Sequence, residues 1–104
     1  MRRGEVWWAE LPPPVGPRPV ILLTRNSVVN SIGSLVVVIV TRTVRGLPTE
    51  VALGRREGVP TPCVANFDNL LTVPRGRLIR LMGSCGPEKA GELNAALRHA
   101  LDVP

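Results

Sequence analysis

The stretch Ser34-Leu35-Val36-Val37-Val38-Ile39-Val40-Thr41-Arg42-Thr43 decides the fold. Its six central residues are apolar and mostly β-branched, with no alternation between polar and apolar positions. Such a run, closed by a polar exit at Thr41 to Arg45, predicts a strand buried on both faces. It is far too short to span a bilayer. Upstream, Pro19 to Thr24 is a second apolar strand, with proline at a first position where no ladder donor is lost. Between the two, Arg25 to Ile32 mixes Asn and Ser with Val28, Val29 and Ile32. A short helical turn capped by Asn26 or Ser27 fits that pattern. Further back, Val6 to Leu11 forms a first strand, and Leu11-Pro-Pro-Pro-Val-Gly-Pro17 ends it. Trp7 and Trp8 fall on opposite faces of that strand. One of them belongs to the core, and the other faces a partner, a groove rim or a covering helix.

Downstream, Thr49 to Leu53 alternates and is expected to pair antiparallel with the central strand. Gly54 to Pro62 reads as a charged turn and Cys63 to Phe67 as another short strand. Asp68 to Pro74 leads into Arg75-Gly76-Arg77, and Leu78 to Met82 forms the last strand. The period then changes. Pro87 suits the first turn of a helix, and Ala90, Leu93, Leu97, Ala100 and Leu101 recur at three and four residues. The class is α+β: a small, strongly bent antiparallel sheet or barrel with a C-terminal helix. The 104 residues suit one domain, residues 1–104, without repeat or linker.

The net charge is +5, carried by 12 Arg and the single Lys89. Arginine donates to phosphate in a two-pronged way that lysine does not, and a basic surface favours an anionic partner, most often nucleic acid. A genome-wide preference for arginine codons is an equal explanation for the skew. Cys63 and Cys85 form no Cys-x-x-Cys pair and read as reduced, buried, small apolar groups. No signal peptide is visible, since Glu5 and Glu10 interrupt any apolar region near the start. The expectation is a cytoplasmic protein without a membrane partner.

Absences narrow the chemistry. One histidine, His99, rules out a two-histidine ribonuclease site within a chain, and its place in the helix reads as surface. Neither the His and Cys residues nor the eight carboxylates are spaced to hold a metal. No phosphate-binding glycine loop or dinucleotide fingerprint occurs. Three aromatics, Trp7, Trp8 and Phe67, are few for stacking single strands. Arginine and hydroxyl groups remain. RNA carries its own nucleophile, so an enzyme can cleave it without metal by aligning the 2′-OH and stabilising the added charge. Arg18, opening the second strand, suits the charge, and Thr41, closing the central one, suits a phosphate oxygen. The plainer alternative makes Arg18 a solvated strand-end residue and Thr41 an ordinary strand residue.

Read together, several strings resemble the MazF/PemK family of toxin endoribonucleases, the messenger-RNA interferases. They are Arg3-Gly4-Glu5-Val6-Trp7, Leu11-Pro12 with Gly16-Pro17-Arg18-Pro19-Val20, Val38-Ile39-Val40-Thr41, Pro48-Thr49-Glu50-Val51, Val64 to Thr72 around Asp68, and Gly86-Pro87-Glu88 with Leu97. Their order spans essentially the whole chain. The resemblance implies an SH3-like barrel, a homodimer, a cognate antitoxin as partner, and an RNA groove at or beside the dimer interface. It implies metal-independent cleavage, with no cofactor, to a 2′,3′-cyclic phosphate and a 5′-OH. Arg18 and Thr41 match the catalytic pair. Asp68 matches an aspartate that some relatives use as general base, although Asn66 stands where those relatives have arginine, and a turn or cap carboxylate is the alternative. Arg25, Arg42, Arg45, Asn66, Arg75 and Arg77 are the further candidates for binding RNA. The first loop is shorter than is usual in the family and lacks the Glu-Gln before Arg-Pro. It is stiffened by proline, which implies a preformed, narrower recognition edge. Two other functions compete: a toxin of the same fold that poisons DNA gyrase by binding alone, and a plain nucleic-acid-binding barrel.

Overall fold

The computed structural model describes residues 1–104. Six strands, β1 (Glu5–Ala9), β2 (Arg18–Leu22), β3 (Ser34–Thr41), β4 (Glu50–Leu53), β5 (Cys63–Pro74) and β6 (Leu78–Ser84), precede one helix, α1 (Pro87–Leu101). They form a single antiparallel sheet in the order β4-β5-β3-β2-β1-β6. Its two edge strands share no ladder. They meet where the turn after β4 crosses β6: a Cβ on Gly58 would lie 2.3 Å from the Met82 carbonyl oxygen, and one on Gly83 would lie 2.4 Å from that of Glu57. Only bare backbone fits both sides of this seam. The α+β class with a strongly curled sheet is as expected, but the curl is closed by packing rather than by hydrogen bonds.

β3 lies at the centre and is buried on both faces. Val38 and Val40 join the inner core with Phe67 of β5 and with Leu93 and Ala96 of α1. Leu35, Val37 and Ile39 join an outer core with Val20 and Leu22 of β2 and Val29 of the following turn. Within Leu35–Val40, Val36 is the exception, 38% exposed. Trp7 packs against the outer core.

Four expectations need correction. β4 pairs with β5 and not with β3, whose two edges are already taken by β2 and β5. Asp68 to Pro74 is not a lead-in but the second half of β5. The ladder slips there, placing Asn66 opposite Ile39 and Leu70 opposite Val38, so that Phe67, Asp68 and Asn69 form a bulge. The Arg25–Ile32 segment does turn helically, with Val29 N–H donating to Arg25 C=O at 3.1 Å. Asn26 does not cap it; its Oδ1 accepts the Arg3 N–H at 2.7 Å. In α1, Leu101 points to solvent at 55% exposure, and the helix is held by Leu93 and Ala96. No helix is long and apolar enough to cross a membrane.

Candidate active site

The β2–β3 ladder pairs Leu22 with Val37, Ile21 with Val38 and Val20 with Ile39. The ladder ends at that last rung, and Arg18, which opens β2, and Thr41, which closes β3, each lie two residues beyond it. Facing residues of an antiparallel pair share a face. Val20 and Ile39 both point into the outer core, so Arg18 and Thr41 continue that face past the end of the apolar packing. The row behind them extends from Ile39 to Asn66 of β5 and on to Glu50 of β4. One end of the outer face therefore carries Arg18, Thr41, Asn66 and Glu50.

The first loop folds over this end. Val15 packs on the outer core, and the Val15 carbonyl accepts a hydrogen bond from the Arg18 guanidinium. Arg18 Nε is buried and has no partner. A buried donor left unsatisfied costs roughly 1–3 kcal/mol. Thr41 Oγ1 accepts the Thr43 N–H at 3.2 Å, leaving its own hydroxyl proton available for donation. The strand ends fix both backbones, and a side chain on a strand is placed more tightly than one on a loop.

The other candidates divide by position. Arg42 and Arg45 are exposed on the loop leaving Thr41. Neither forms an ion pair, the single salt bridge of the molecule being Lys89 to Glu92 at 3.4 Å. Asn66 Oδ1 accepts the Asp68 N–H at 2.9 Å and shapes the bulge. Asp68 does not reach Arg18 or Thr41 by hydrogen bond; its carboxylate accepts from the buried Thr49 hydroxyl at 2.7 Å. Arg77 stands near the Arg18 end, donating to the Glu10 carbonyl at 3.3 Å. Arg25 and Arg75 lie at the opposite end of the sheet. Arg75 is engaged there with the carbonyls of Val29 and Ile32.

Beside Thr41, on the inner side of the sheet, opens a groove of about 210 Å³. Trp8, Val40, Val59 and Met82 make it apolar, and Arg42 and Arg80 stand at its margin. Trp8 is thus the tryptophan at the groove. Arg80 was not among the sequence candidates, since only the Trp8–Arg80 pairing of β1 with β6 brings it there. Cys63 lines the same groove, but burial raises its thiol pKa more than the nearby Arg42 lowers it. The Cys85 thiol is pushed up to about 11, mainly by burial and secondarily by Glu57. Both cysteines are free thiols, and a protonated thiol is a poor nucleophile. A larger hollow, about 980 Å³, lies between the β4 exit and the start of α1. Its charges are mixed, with Arg55, Arg56 and Lys89 against Glu57, Glu88 and Glu92, and it holds none of the candidate residues.

Residues 2–101 match the family model described as PemK-like, MazF-like toxin of type II toxin-antitoxin system. The Mycobacterium tuberculosis protein named Probable endoribonuclease MazF2 is 46% identical over 99 residues, covering 94% of this chain and 95% of that protein. Endoribonuclease MazF3 of the same organism is 36% identical over 86 residues, 83% of this chain and 84% of that one. Among solved structures, Mycobacterium tuberculosis toxin MazF-mt6 superposes with a TM-score of 0.89 at 33% identity, over 96% of this chain and 98% of that one. A mycobacterial endoribonuclease in complex with its cognate antitoxin superposes with a TM-score of 0.89 at 31% identity, over 100% of this chain and 97% of that one.

Proposed function

The chain belongs to the family of PemK-like, MazF-like toxins of type II toxin–antitoxin systems, and on that premise we propose that it is a sequence-selective endoribonuclease of single-stranded RNA. It acts in the cytoplasm as a homodimer and is held inactive by a cognate antitoxin. The observation that supports the reading is that Arg18 opens β2 and Thr41 closes β3 at the same end of the sheet, each two residues beyond the Val20–Ile39 rung.

The chemistry follows from those two groups. The 2′-oxygen attacks the adjacent phosphorus as its proton leaves, giving a pentacoordinate phosphorane with added negative charge. The Thr41 hydroxyl donates to one non-bridging oxygen and orients the phosphate. The Arg18 guanidinium donates to the developing charge, where fixed donors do most for a transition state. Collapse breaks the bond to the 5′-oxygen, which takes up a proton from solvent water to replace the one the 2′-OH released, and leaves a 2′,3′-cyclic phosphate and a 5′-OH. Asp68 stands as proton acceptor through the resemblance alone, since its side-chain partner is Thr49. None of these steps calls for a metal. A gyrase-poisoning toxin acting through surface contacts would have no use for Arg18 and Thr41 at one end of the sheet.

The test is incubation of purified protein with mixed-sequence RNA in EDTA, followed by analysis of the ends. Cyclic phosphate ends that vanish with Arg18→Ala are expected. Intact RNA with retained binding would overturn the reading in favour of a plain nucleic-acid-binding barrel.

A further inference from the structure

Glu50 belongs to the Pro48-Thr49-Glu50-Val51 string and opens β4. Its carboxylate is the most heavily bonded in the molecule. Oε1 accepts the N–H of Gly46 at 2.8 Å, of Arg45 at 3.1 Å and of Leu47 at 3.2 Å. Oε2 accepts the Arg45 N–H as well, at 3.2 Å. Three consecutive amides converging on one anion form a nest. Gly46, at φ 72°, supplies the left-handed residue that turns them inward.

The two ends of this loop are tied to the sheet. At its start the Thr43 N–H donates to Thr41 Oγ1. At its end Glu50 is the first residue of β4, paired with Asn66, and its N–H donates to the Leu47 carbonyl at 3.0 Å. The carboxylate is engaged with main-chain amides and forms no ion pair with Arg45. Both loop guanidiniums, Arg42 and Arg45, therefore remain free on exposed side chains next to Thr41.

We propose that Glu50 is a positioning residue that holds the loop Arg42–Pro48 in the shape that binds RNA, with Arg42 and Arg45 gripping phosphates that flank the one at Thr41. This rests on the endoribonuclease reading for its substrate. A loop already ordered loses less entropy on binding, so the effect falls on affinity more than on the chemical step.

The test compares wild type, Glu50→Gln and Glu50→Ala by amide hydrogen exchange, by RNA cleavage, and by binding to mixed-sequence 2′-O-methyl RNA, which lacks the nucleophile. In Glu50→Ala the amides of residues 45–47 are expected to exchange at least ~10-fold faster, as removal of a charged acceptor predicts. KM is expected to rise about 10-fold with kcat within about 3-fold, and the slope of log Kd against log salt to shrink by roughly 0.7 for each phosphate that the loop no longer grips. Glu50→Gln keeps one acceptor oxygen and should fall between the two, and it carries the test if the alanine variant fails to fold. Unchanged exchange at residues 45–47 would overturn the anchoring. Faster exchange with unchanged KM and salt slope would overturn the role in binding. A wild type that binds 2′-O-methyl RNA without cleaving ordinary RNA would remove the endoribonuclease reading, yet leave the loop inference to be decided by exchange and salt slope.

Discussion

Arg18 opens β2 and Thr41 closes β3, each two residues beyond the Val20–Ile39 rung at which the β2–β3 ladder ends, and both in step with the side chains that face the outer core. On the proposed endoribonuclease reading these two groups act on one phosphate, so removing either should remove part of a single unit. Arg18→Ala and Thr41→Val should each lower the single-turnover rate on RNA by roughly 10²- to 10⁴-fold. The double variant should lose much less than the product of the two. Arg18→Lys should stay nearer to alanine than to wild type, because an ammonium is a point donor and not a fork. Thermal melting should change little in any of these variants. Fully multiplicative losses would show that the two side chains work on different things.

The arginines on opposite ends of the sheet separate binding from stability. Arg42 is exposed and unpaired next to Thr41, whereas Arg75 holds the carbonyls of Val29 and Ile32 together. Arg42→Ala should reduce the salt slope of RNA binding by roughly 0.7, the value for one phosphate of a single strand, at an unchanged melting temperature. Arg75→Gln should do the reverse. Loss of charged hydrogen bonds to these two carbonyls costs about 1.5–3 kcal/mol, or several degrees in a domain of this size, and the salt slope should hold. Titrations at several salt concentrations beside melting curves decide both.

This contrast also shows where the sequence was readable. Leu35 to Val40 declared a two-sided buried strand because an unbroken β-branched run has few other uses, and Arg18 and Thr41 followed as the polar ends of neighbouring strands. Arg75 could not be placed that way. Its partners lie 43 and 46 residues away, so only the tertiary fold decides whether it meets carbonyls or solvent. The bulge at Phe67 to Asn69 was hidden for a related reason. Asp and Asn are poor strand residues, and locally they read as the end of β5, when pairing with β3 carries the strand through them. The partner of β4 depended on which edges of the sheet were still open. The Glu50 nest is local in sequence, but it exists only because Gly46 takes a left-handed conformation that its neighbours do not announce.

Cys85 gives the protein a pH-dependent stability with a defined sign. Burial raises the folded thiol from the ordinary 9.0 to about 11. The folded state thus holds this proton more tightly than the unfolded chain does. Its contribution is complete below pH 9 and is lost as pH rises toward about 11. The melting temperature should fall across that window, and Cys85→Ser should flatten the fall. Thiol-directed alkylation at pH 8 should be slow in the native state and rapid in denaturant. An identical slope in Cys85→Ser would assign the loss to other groups.

The seam between Gly58 and Gly83 predicts opposite outcomes for one kind of substitution. A methyl group on Gly58 would meet the Met82 carbonyl oxygen at 2.3 Å and must also adopt φ 95°, while one on Gly83 would meet the Glu57 carbonyl oxygen at 2.4 Å. Backbone presses on backbone there, so no side chain can swing aside. Gly58→Ala and Gly83→Ala should each destabilise by about 3 kcal/mol or more, as overpacking and, at Gly58, strain combine. That is more than 10 °C in a domain of roughly 100 residues. Gly91 lies within α1, where an added Cβ meets nothing within 4 Å. Gly91→Ala should therefore stabilise by about 1 kcal/mol through helix propensity. Neither Arg18 nor Thr41 takes part in the seam, so activity per folded molecule should survive in all three. Denaturant melts of the three variants give the measurement, and a tolerated alanine at Gly83 would mean that the turn after β4 can lift away from β6.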